Sequence, residues 1–124
     1  MKPVQLPAVF NVASHFVDRH MSEGRDTKVA FECGDDRVTY RQLFERVNQA
    51  GNAFRKLGVR DEERVALLLL DTPDFAYCFF GAIKIGGVAV PMNTMLSPAE
   101  YEYMLNDCRA RVVVVSEALL SKIQ

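Results

Sequence analysis

Three short apolar runs divide the second half of the chain. They lie at Val65–Leu70, Val88–Val90 and Val112–Val115, and none of them alternates apolar with polar residues. A strand with this pattern is buried on both faces, which is typical of a parallel sheet covered by helices. Helical patterns fill the two gaps, one over Asp74–Ile85 and one that begins at a capping box at Ser97. This order predicts an α/β fold, a parallel sheet with helices on both faces, in a βαβαβ region over about residues 64–124.

The first half of the chain predicts a small N-terminal antiparallel hairpin. Lys28–Cys33 has the composition of a strand, Gly34–Asp36 that of a turn, and Arg37–Val38 that of a short return strand. Two strands that a tight turn joins must run antiparallel, so this hairpin, over about residues 28–38, is separate from the parallel sheet.

Two amphipathic helices flank the hairpin. Asn11 is the expected N-cap of a helix over Val12–Ser22, in which His20 occupies the last turn. We interpret His20 as a surface or helix-end residue. The second helix opens with a capping box at Thr39 and ends at Gly58, since glycine takes the left-handed conformation without a Cβ penalty.

Composition and charge narrow the class of protein. The 124 residues are 49% hydrophobic and 25% charged, with a formal net charge of −1. This composition excludes a disordered chain and indicates one globular domain, and the near-neutral charge argues against nucleic acid as a partner. The apolar stretch from Phe75 to Met92 contains Lys84 and Pro91, so we expect buried elements rather than a membrane span. Without a secretion signal, we expect a soluble cytoplasmic protein with no membrane partner.

Motifs that carry catalysis or bind metals are missing. The sequence has no nucleophile elbow, no His-Glu-x-x-His pair and no complete Walker sequence. Gly81 and Gly86-Gly87 have half of the Walker spacing, but Val88 stands where a hydroxyl residue should follow. The three separated cysteines form neither a disulfide framework nor a zinc site. We therefore predict no catalytic residue and no metal ligand in this chain.

Polar residues follow each of the three predicted strands. Ligands of open α/β sheets bind beyond the carboxyl ends of the strands, where this chain has Asp71-Thr72, Asn93-Thr94 and Ser116. Helix capping explains Asp71-Thr72, and it explains Ser116 as the start of a last helix that runs to Gln124. Asn93 and Thr94 are different, because Ser97 already caps the next helix. They are our candidate substrate-binding residues.

Six stretches of the sequence carry a resemblance to a known enzyme family. They are Thr39–Leu43, Ala53–Val59, Asp61–Ala66, Phe80–Asn93, Asn11–His20 and Leu69–Phe75. The first four resemble the N-terminal region of the adenylate-forming acyl-CoA synthetases, the AMP-dependent synthetase/ligase superfamily. The last two resemble the benzoate-CoA ligase branch of that superfamily.

The resemblance implies a reaction in two steps. In this family a carboxylate attacks the α-phosphate of ATP, with magnesium, to give an acyl-adenylate and pyrophosphate, and the thiol of coenzyme A (CoA) then displaces AMP. The family's phosphate loop, nucleotide motifs and catalytic lysine lie downstream of the region matched here. The resemblance therefore implies that residues 1–124 are an N-terminal subdomain, a fragment of a ligase whose ATP, Mg and CoA sites lie elsewhere. Its partners would be the remainder of the ligase chain and an aromatic carboxylate, and the fragment alone is expected to be inactive.

Two other interpretations stay open at the level of sequence. A receiver-like regulatory module would use Asp35-Asp36 and Asp71 as magnesium ligands, although Lys122 lies well beyond the last strand. A free-standing interaction domain would assemble through an exposed apolar surface, with a homodimer as one form of self-association.

Overall fold

The computed structural model describes residues 1–124, and its five strands form two separate sheets. The strands are β1 (Val29–Cys33), β2 (Asp36–Thr39), β3 (Arg64–Leu68), β4 (Val88–Pro91) and β5 (Ala110–Val115). The first two pair antiparallel as the predicted hairpin. The other three form a parallel sheet in the order β4-β3-β5.

Four α-helices and two irregular helical segments connect and cover these strands. They are a π-helical turn over Ser14–Asp18, α1 (Arg19–Ser22), α2 (Tyr40–Lys56), α3 (Pro73–Lys84), α4 (Pro98–Asp107) and a final 3-10 segment over Glu117–Lys122. The first helix of the chain therefore lies where the sequence predicts it, with a π-helical turn inside it.

The parallel sheet confirms the main expectation from the sequence. Val65 of β3 lies beside Ala89 of β4 and Val112 of β5, and all three strands run in the same direction. The central strand β3 is buried over all its residues except Arg64. An unbroken apolar run is the pattern that a strand with neighbours on both sides and helices on both faces requires.

Helices cover both faces of this sheet, as predicted. On one face, Leu67 lies in a cluster with Phe54 of α2 and Ala82 of α3. On the other face, Leu68 lies in a cluster with Tyr101 of α4. Because successive residues of a strand point to opposite faces, one apolar run supplies both clusters.

Local capping signals hold the N-terminal helices where the sequence places them. Asn11 Oδ1 accepts a hydrogen bond from Ala13 N at 2.9 Å, so it caps the first helix. Thr39 and Gln42 form the reciprocal capping box, with Thr39 N bonded to Gln42 Oε1 at 2.9 Å and Gln42 N to Thr39 Oγ1 at 3.2 Å. Both caps depend only on residues within a few positions of each other, which explains why they were predictable.

Helices α2 and α3 approach each other closely at two glycines. A Cβ added to Gly81 would lie 2.8 Å from Ala50 Cβ and 3.1 Å from Val47 O, and one added to Gly51 would lie 3.2 Å from Gly81 O. Gly86, at φ +87°, lies just past the end of α3. The glycines with half of the Walker spacing therefore serve helix packing and helix termination.

The charge within the apolar stretch of residues 75–92 has a partner inside the chain. Lys84 Nζ lies 2.7 Å from Asp18 Oδ1 and 4.5 Å from the centroid of the Phe44 ring. These contacts join the N-terminal helix to the last turn of α3. None of the helices combines the length and the hydropathy that crossing a bilayer requires.

Three expectations about the elements need correction. The first apolar run was predicted as strand to Leu70, but β3 ends at Leu68, and Leu70 is exposed. The strands β4 and β5 were expected to be buried on both faces; both are half-buried, because they lie at the two edges of the sheet. The predicted last helix from Ser116 to Gln124 is a six-residue 3-10 segment, Glu117–Lys122.

Candidate functional site

The polar residues that follow β3, β4 and β5 all lie at the carboxyl edge of the parallel sheet, and hydrogen bonds join the segment after β3 to the one after β5. Ser116 N donates to Leu68 O at 3.0 Å, and Ser116 Oγ accepts a hydrogen bond from Leu70 N at 3.0 Å. The ends of β3 and β5 are therefore joined by Ser116. Ser116 occupies the N-cap position of the final 3-10 segment, as predicted, but its hydroxyl makes no capping bond and instead bonds the amide of Leu70, two residues past the end of β3.

Asp71 and Thr72 lie exposed between β3 and α3. Thr72 occupies the N-cap position and Pro73 the first helical position, as the sequence predicts. The Thr72 side chain makes no capping hydrogen bond, so only the position of the predicted cap is confirmed.

Asn93 and Thr94 form the loop that follows β4, and this loop is tightly bonded. Asn93 Oδ1 accepts from Met95 N at 2.9 Å. The hydroxyl of Tyr101 donates to Asn93 O at 2.7 Å and accepts from Leu96 N at 3.2 Å. The side chains of Asn93 and Tyr101 therefore fix the conformation of this loop, which makes no hydrogen bonds to a neighbouring strand.

A lysine from the end of the chain supports the same loop. Lys122 Nζ donates to Thr94 O at 2.9 Å and to Leu96 O at 3.5 Å. Neither Tyr101 nor Lys122 was identified from the sequence as part of a site. Tyr101 occupies the apolar stripe of α4, and its only signal was that a buried tyrosine hydroxyl needs a hydrogen-bond partner.

The loop leaves several polar groups free of partners within the chain. These are the Asn93 and Thr94 amide N–H groups, the Asn93 Nδ2 group and the Thr94 hydroxyl. Donors of this kind bind carboxylate or other oxygen acceptors. Because neither side chain titrates, the loop can bind and orient a ligand but cannot transfer protons.

Groups that would hold a metal ion or phosphates do not come together in this structure. It contains no group of three or more His, Cys, Asp and Glu residues placed to hold a metal. Asp36 lies in β2 of the hairpin, whereas Asp71 follows β3 in the other sheet. Gly86 and Gly87 follow the end of a helix, whereas phosphates bind at helix N-termini. The residues present therefore do not fit Mg²⁺ or the triphosphate of ATP.

Cys78 is not a candidate nucleophile. Cys33, Cys78 and Cys108 are free thiols, each partly buried. Burial, with a smaller contribution from Asp74, raises the pKa of the Cys78 thiol to about 11. Since the thiolate is the nucleophile, Cys78 is unreactive near neutral pH.

A broad groove of about 680 Å³ lies between the hairpin, α2 and the start of α3. Its walls include Arg37, Arg46, Asp36 and Asp74, together with Tyr77. Charges of both signs line the groove, and it contains no cluster of ligands for a cation or an anion. The candidate site therefore stays at the carboxyl edge of the sheet.

Comparison with known proteins gives consistent results. A protein-family model described as AMP-binding enzyme matches residues 17–124. The chain is 43% identical over 115 residues to a 4-hydroxybenzoate–CoA/benzoate–CoA ligase of Rhodopseudomonas palustris. It is 41% identical over 118 residues to a benzoate–CoA ligase of Thauera aromatica. Among solved structures, an anthranilate CoA ligase in complex with anthranoyl-AMP superposes with a TM-score of 0.90 and 44% identity.

These matches cover most of this chain and a small part of each relative. The alignments include 93% and 94% of this chain, but 21% and 22% of the two curated relatives. The structural match includes 95% of this chain and 22% of the other. The chain thus spans about a fifth of the length of the curated relatives it matches.

Proposed function

Because this chain belongs to the AMP-binding enzyme family, we propose that the whole protein is a CoA ligase for a benzoate-type carboxylate. The overall reaction converts an aromatic carboxylate, ATP and CoA into the acyl-CoA thioester, AMP and pyrophosphate. ATP and CoA are then co-substrates, and Mg²⁺ is the metal cofactor.

One observation carries the choice of an aromatic acid. The two curated relatives, which align over more than nine tenths of this chain, are named for benzoate and 4-hydroxybenzoate. The structural neighbour is named for anthranilate. These acids share a carboxylate attached directly to an aromatic ring. A substrate of that shape for this protein is the simplest proposal that accommodates all three names.

Within that enzyme, residues 1–124 would be a subdomain that supports the carboxylate pocket. Asn93 and Thr94 would contribute hydrogen-bond donors at its rim, for the carboxylate or for a polar substituent of the ring. The groups in this chain do not fit Mg²⁺ or the triphosphate of ATP, so we place the ATP and Mg²⁺ sites, and with them the CoA site, on the remainder of the ligase chain. The chain alone would then be inactive, because positioning and charge stabilisation supply most of such a rate.

The proposal is tested with the full-length protein and with residues 1–124 alone. Acyl-CoA formation is measured with ATP, Mg²⁺ and CoA, using benzoate, 4-hydroxybenzoate, anthranilate and the aliphatic acid hexanoate. We expect the full-length protein to prefer an aromatic acid over hexanoate by at least about tenfold in kcat/KM. We expect residues 1–124 to form at least about 1,000-fold less product.

Two asparagine variants of the full-length protein test the site. Asn93→Ala should raise KM for the aromatic acid, and Asn52→Ala, at an exposed position of α2, is the matched control. A preference for hexanoate, or acyl-CoA formation by residues 1–124 alone, would contradict the proposed function. Equal effects of the two substitutions would contradict the role of Asn93.

A further inference from the structure

The loop after β4 owes its conformation to two side chains from later elements. Tyr101 belongs to α4, and Lys122 belongs to the 3-10 segment that follows β5. Together they bind the carbonyl groups of Asn93, Thr94 and Leu96 and the amide of Leu96. These backbone groups lie past the end of β4, so no neighbouring strand bonds them. The side chains of Tyr101 and Lys122 supply the hydrogen bonds instead.

Burial makes this arrangement rigid. Tyr101 is fully buried, the largest side chain in the molecule to be so, and packs in the cluster around Leu68 and Met92. A buried ring cannot change rotamer without opening that cluster, so its hydroxyl has a defined position. The hydroxyl bridges both ends of the loop, from Asn93 O to Leu96 N. Removing it would leave two backbone groups without a partner, which favours other loop conformations.

Lys122 acts on the middle of the same loop. Its partly buried ammonium group donates to two carbonyl oxygens and lies within reach of no carboxylate, so it forms no ion pair in the structure. A cation that bonds only backbone carbonyls holds a turn of the chain together. The groups that both residues leave free are the donors of Asn93 and Thr94.

We propose that Tyr101 and Lys122 are positioning residues that hold the Asn93–Leu96 loop in the conformation that contacts the aromatic carboxylate. This inference rests on the proposed function, because it takes the carboxylate as the ligand of the loop. It adds that affinity for the acid depends on two side chains that do not touch it. It also requires that ATP binding be independent of both.

The experiment uses the full-length protein and the variants Tyr101→Phe and Lys122→Met. KM for benzoate, KM for ATP and kcat are measured for each, and hydrogen exchange is followed in the peptide that contains residues 93–96. Tyr103→Phe is the matched control, because Tyr103 lies on the same helix but is 69% exposed. Lys122→Met leaves the buried ring in place, so it keeps the test available if Tyr101→Phe does not fold.

We expect each variant to raise KM for benzoate about fivefold, because the loop then leaves its binding conformation more often, with KM for ATP unchanged within about twofold. Exchange in the loop should be faster in both, and Tyr103→Phe should behave as the unaltered protein. A fall in kcat alone, with both KM values unchanged, would indicate only a loss of folded enzyme and overturn the inference. Faster exchange with an unchanged KM for benzoate would also overturn it. Absence of activity in the unaltered protein would instead overturn the proposed function and, with it, the substrate role of the loop.

Discussion

The imidazole of His20 is buried, and it is hydrogen-bonded to a neighbouring arginine. It is 7% exposed, its ring centroid lies 3.8 Å from that of Tyr40, and Nδ1 accepts a hydrogen bond from Arg25 Nε at 2.8 Å. Burial, reinforced by the charges of Arg25 and Arg19 and opposed by Glu23, lowers the pKa of His20 from its ordinary value of 6.5. The folded protein therefore keeps this histidine neutral at a pH where the unfolded chain protonates it.

The first residue-scale prediction is a loss of stability on acidification. Below pH 6.5 the unfolded state binds the proton more readily than the folded state, so the free energy of unfolding falls as the pH falls. Above pH 6.5 both states are neutral, and His20 adds no pH dependence. Denaturant unfolding between about pH 8 and about pH 5 should show a smaller decrease in His20→Gln than in the unaltered chain. His15→Gln, at an exposed histidine, is the control, and equal pH dependence in His20→Gln and the unaltered chain would contradict the prediction.

Residues differ in how far sequence alone predicts their roles. The cap at Asn11 and the box at Thr39 were predictable, because each partner lies within three positions. The interpretation of His20 as a helix-end residue is correct, but its burial depends on Tyr40, which lies on another helix. Lys122 reaches Thr94 across 28 positions, and no local pattern encodes such a contact. The assignment of Asn93 and Thr94 to substrate binding stays a prediction.

Helix packing provides the prediction at the scale of elements. Gly81→Ala would place a Cβ 2.8 Å from Ala50 Cβ, 3.0 Å from Gly51 N and 3.1 Å from Val47 O. Two of these atoms belong to the backbone of α2, so the helices must move apart. Overpacking costs about 1–3 kcal/mol, and we expect the upper part of that range, about 2–3 kcal/mol, because backbone atoms cannot move aside as a side chain can. The better helix propensity of alanine returns about 1 kcal/mol. We expect a net loss of about 1–2 kcal/mol in the free energy of unfolding, measured by denaturant titration.

The control for this prediction is an alanine substitution on the exposed face of the same helix pair. Gln49→Ala on α2 should change stability by less than about 0.5 kcal/mol. If Gly81→Ala were equally neutral or stabilising, the close approach of α2 and α3 would be wrong.

The burial of a strand or helix could be predicted where its own residues determine it. The run at β3 has no polar position, and both of its faces are buried. The run at β4 looks similar, but the strand is half-buried, because its place at the sheet edge depends on pairing partners and not on its own residues. Helix α3 shows the same limit: most of its residues are apolar, but only Gly81 and Ala82 are buried.

At the scale of the whole molecule, the parallel sheet has two open edges. The edge strand β4 is short and ends at Pro91, which has no amide hydrogen to offer a further strand. The edge strand β5 has six residues, four of them consecutive valines from Val112, and its outer side has no strand partner. A long apolar edge of this kind pairs with other chains when nothing covers it. We therefore expect residues 1–124 in isolation to self-associate through β5.

Two proline substitutions in β5 distinguish the edge from the rest of the surface. Ser116 N donates to Leu68 O, so the amide of Val114 also faces β3 and that of Val113 faces outward, since alternate amides share a side. Val113→Pro removes an outward N–H and should abolish the dependence of oligomer size on concentration, measured by light scattering during size-exclusion chromatography. Val114→Pro removes a bond to β3 and should unfold the sheet, seen as a loss of circular dichroism. If Val113→Pro keeps its fold and still associates as the unaltered chain does, a surface other than the β5 edge drives assembly.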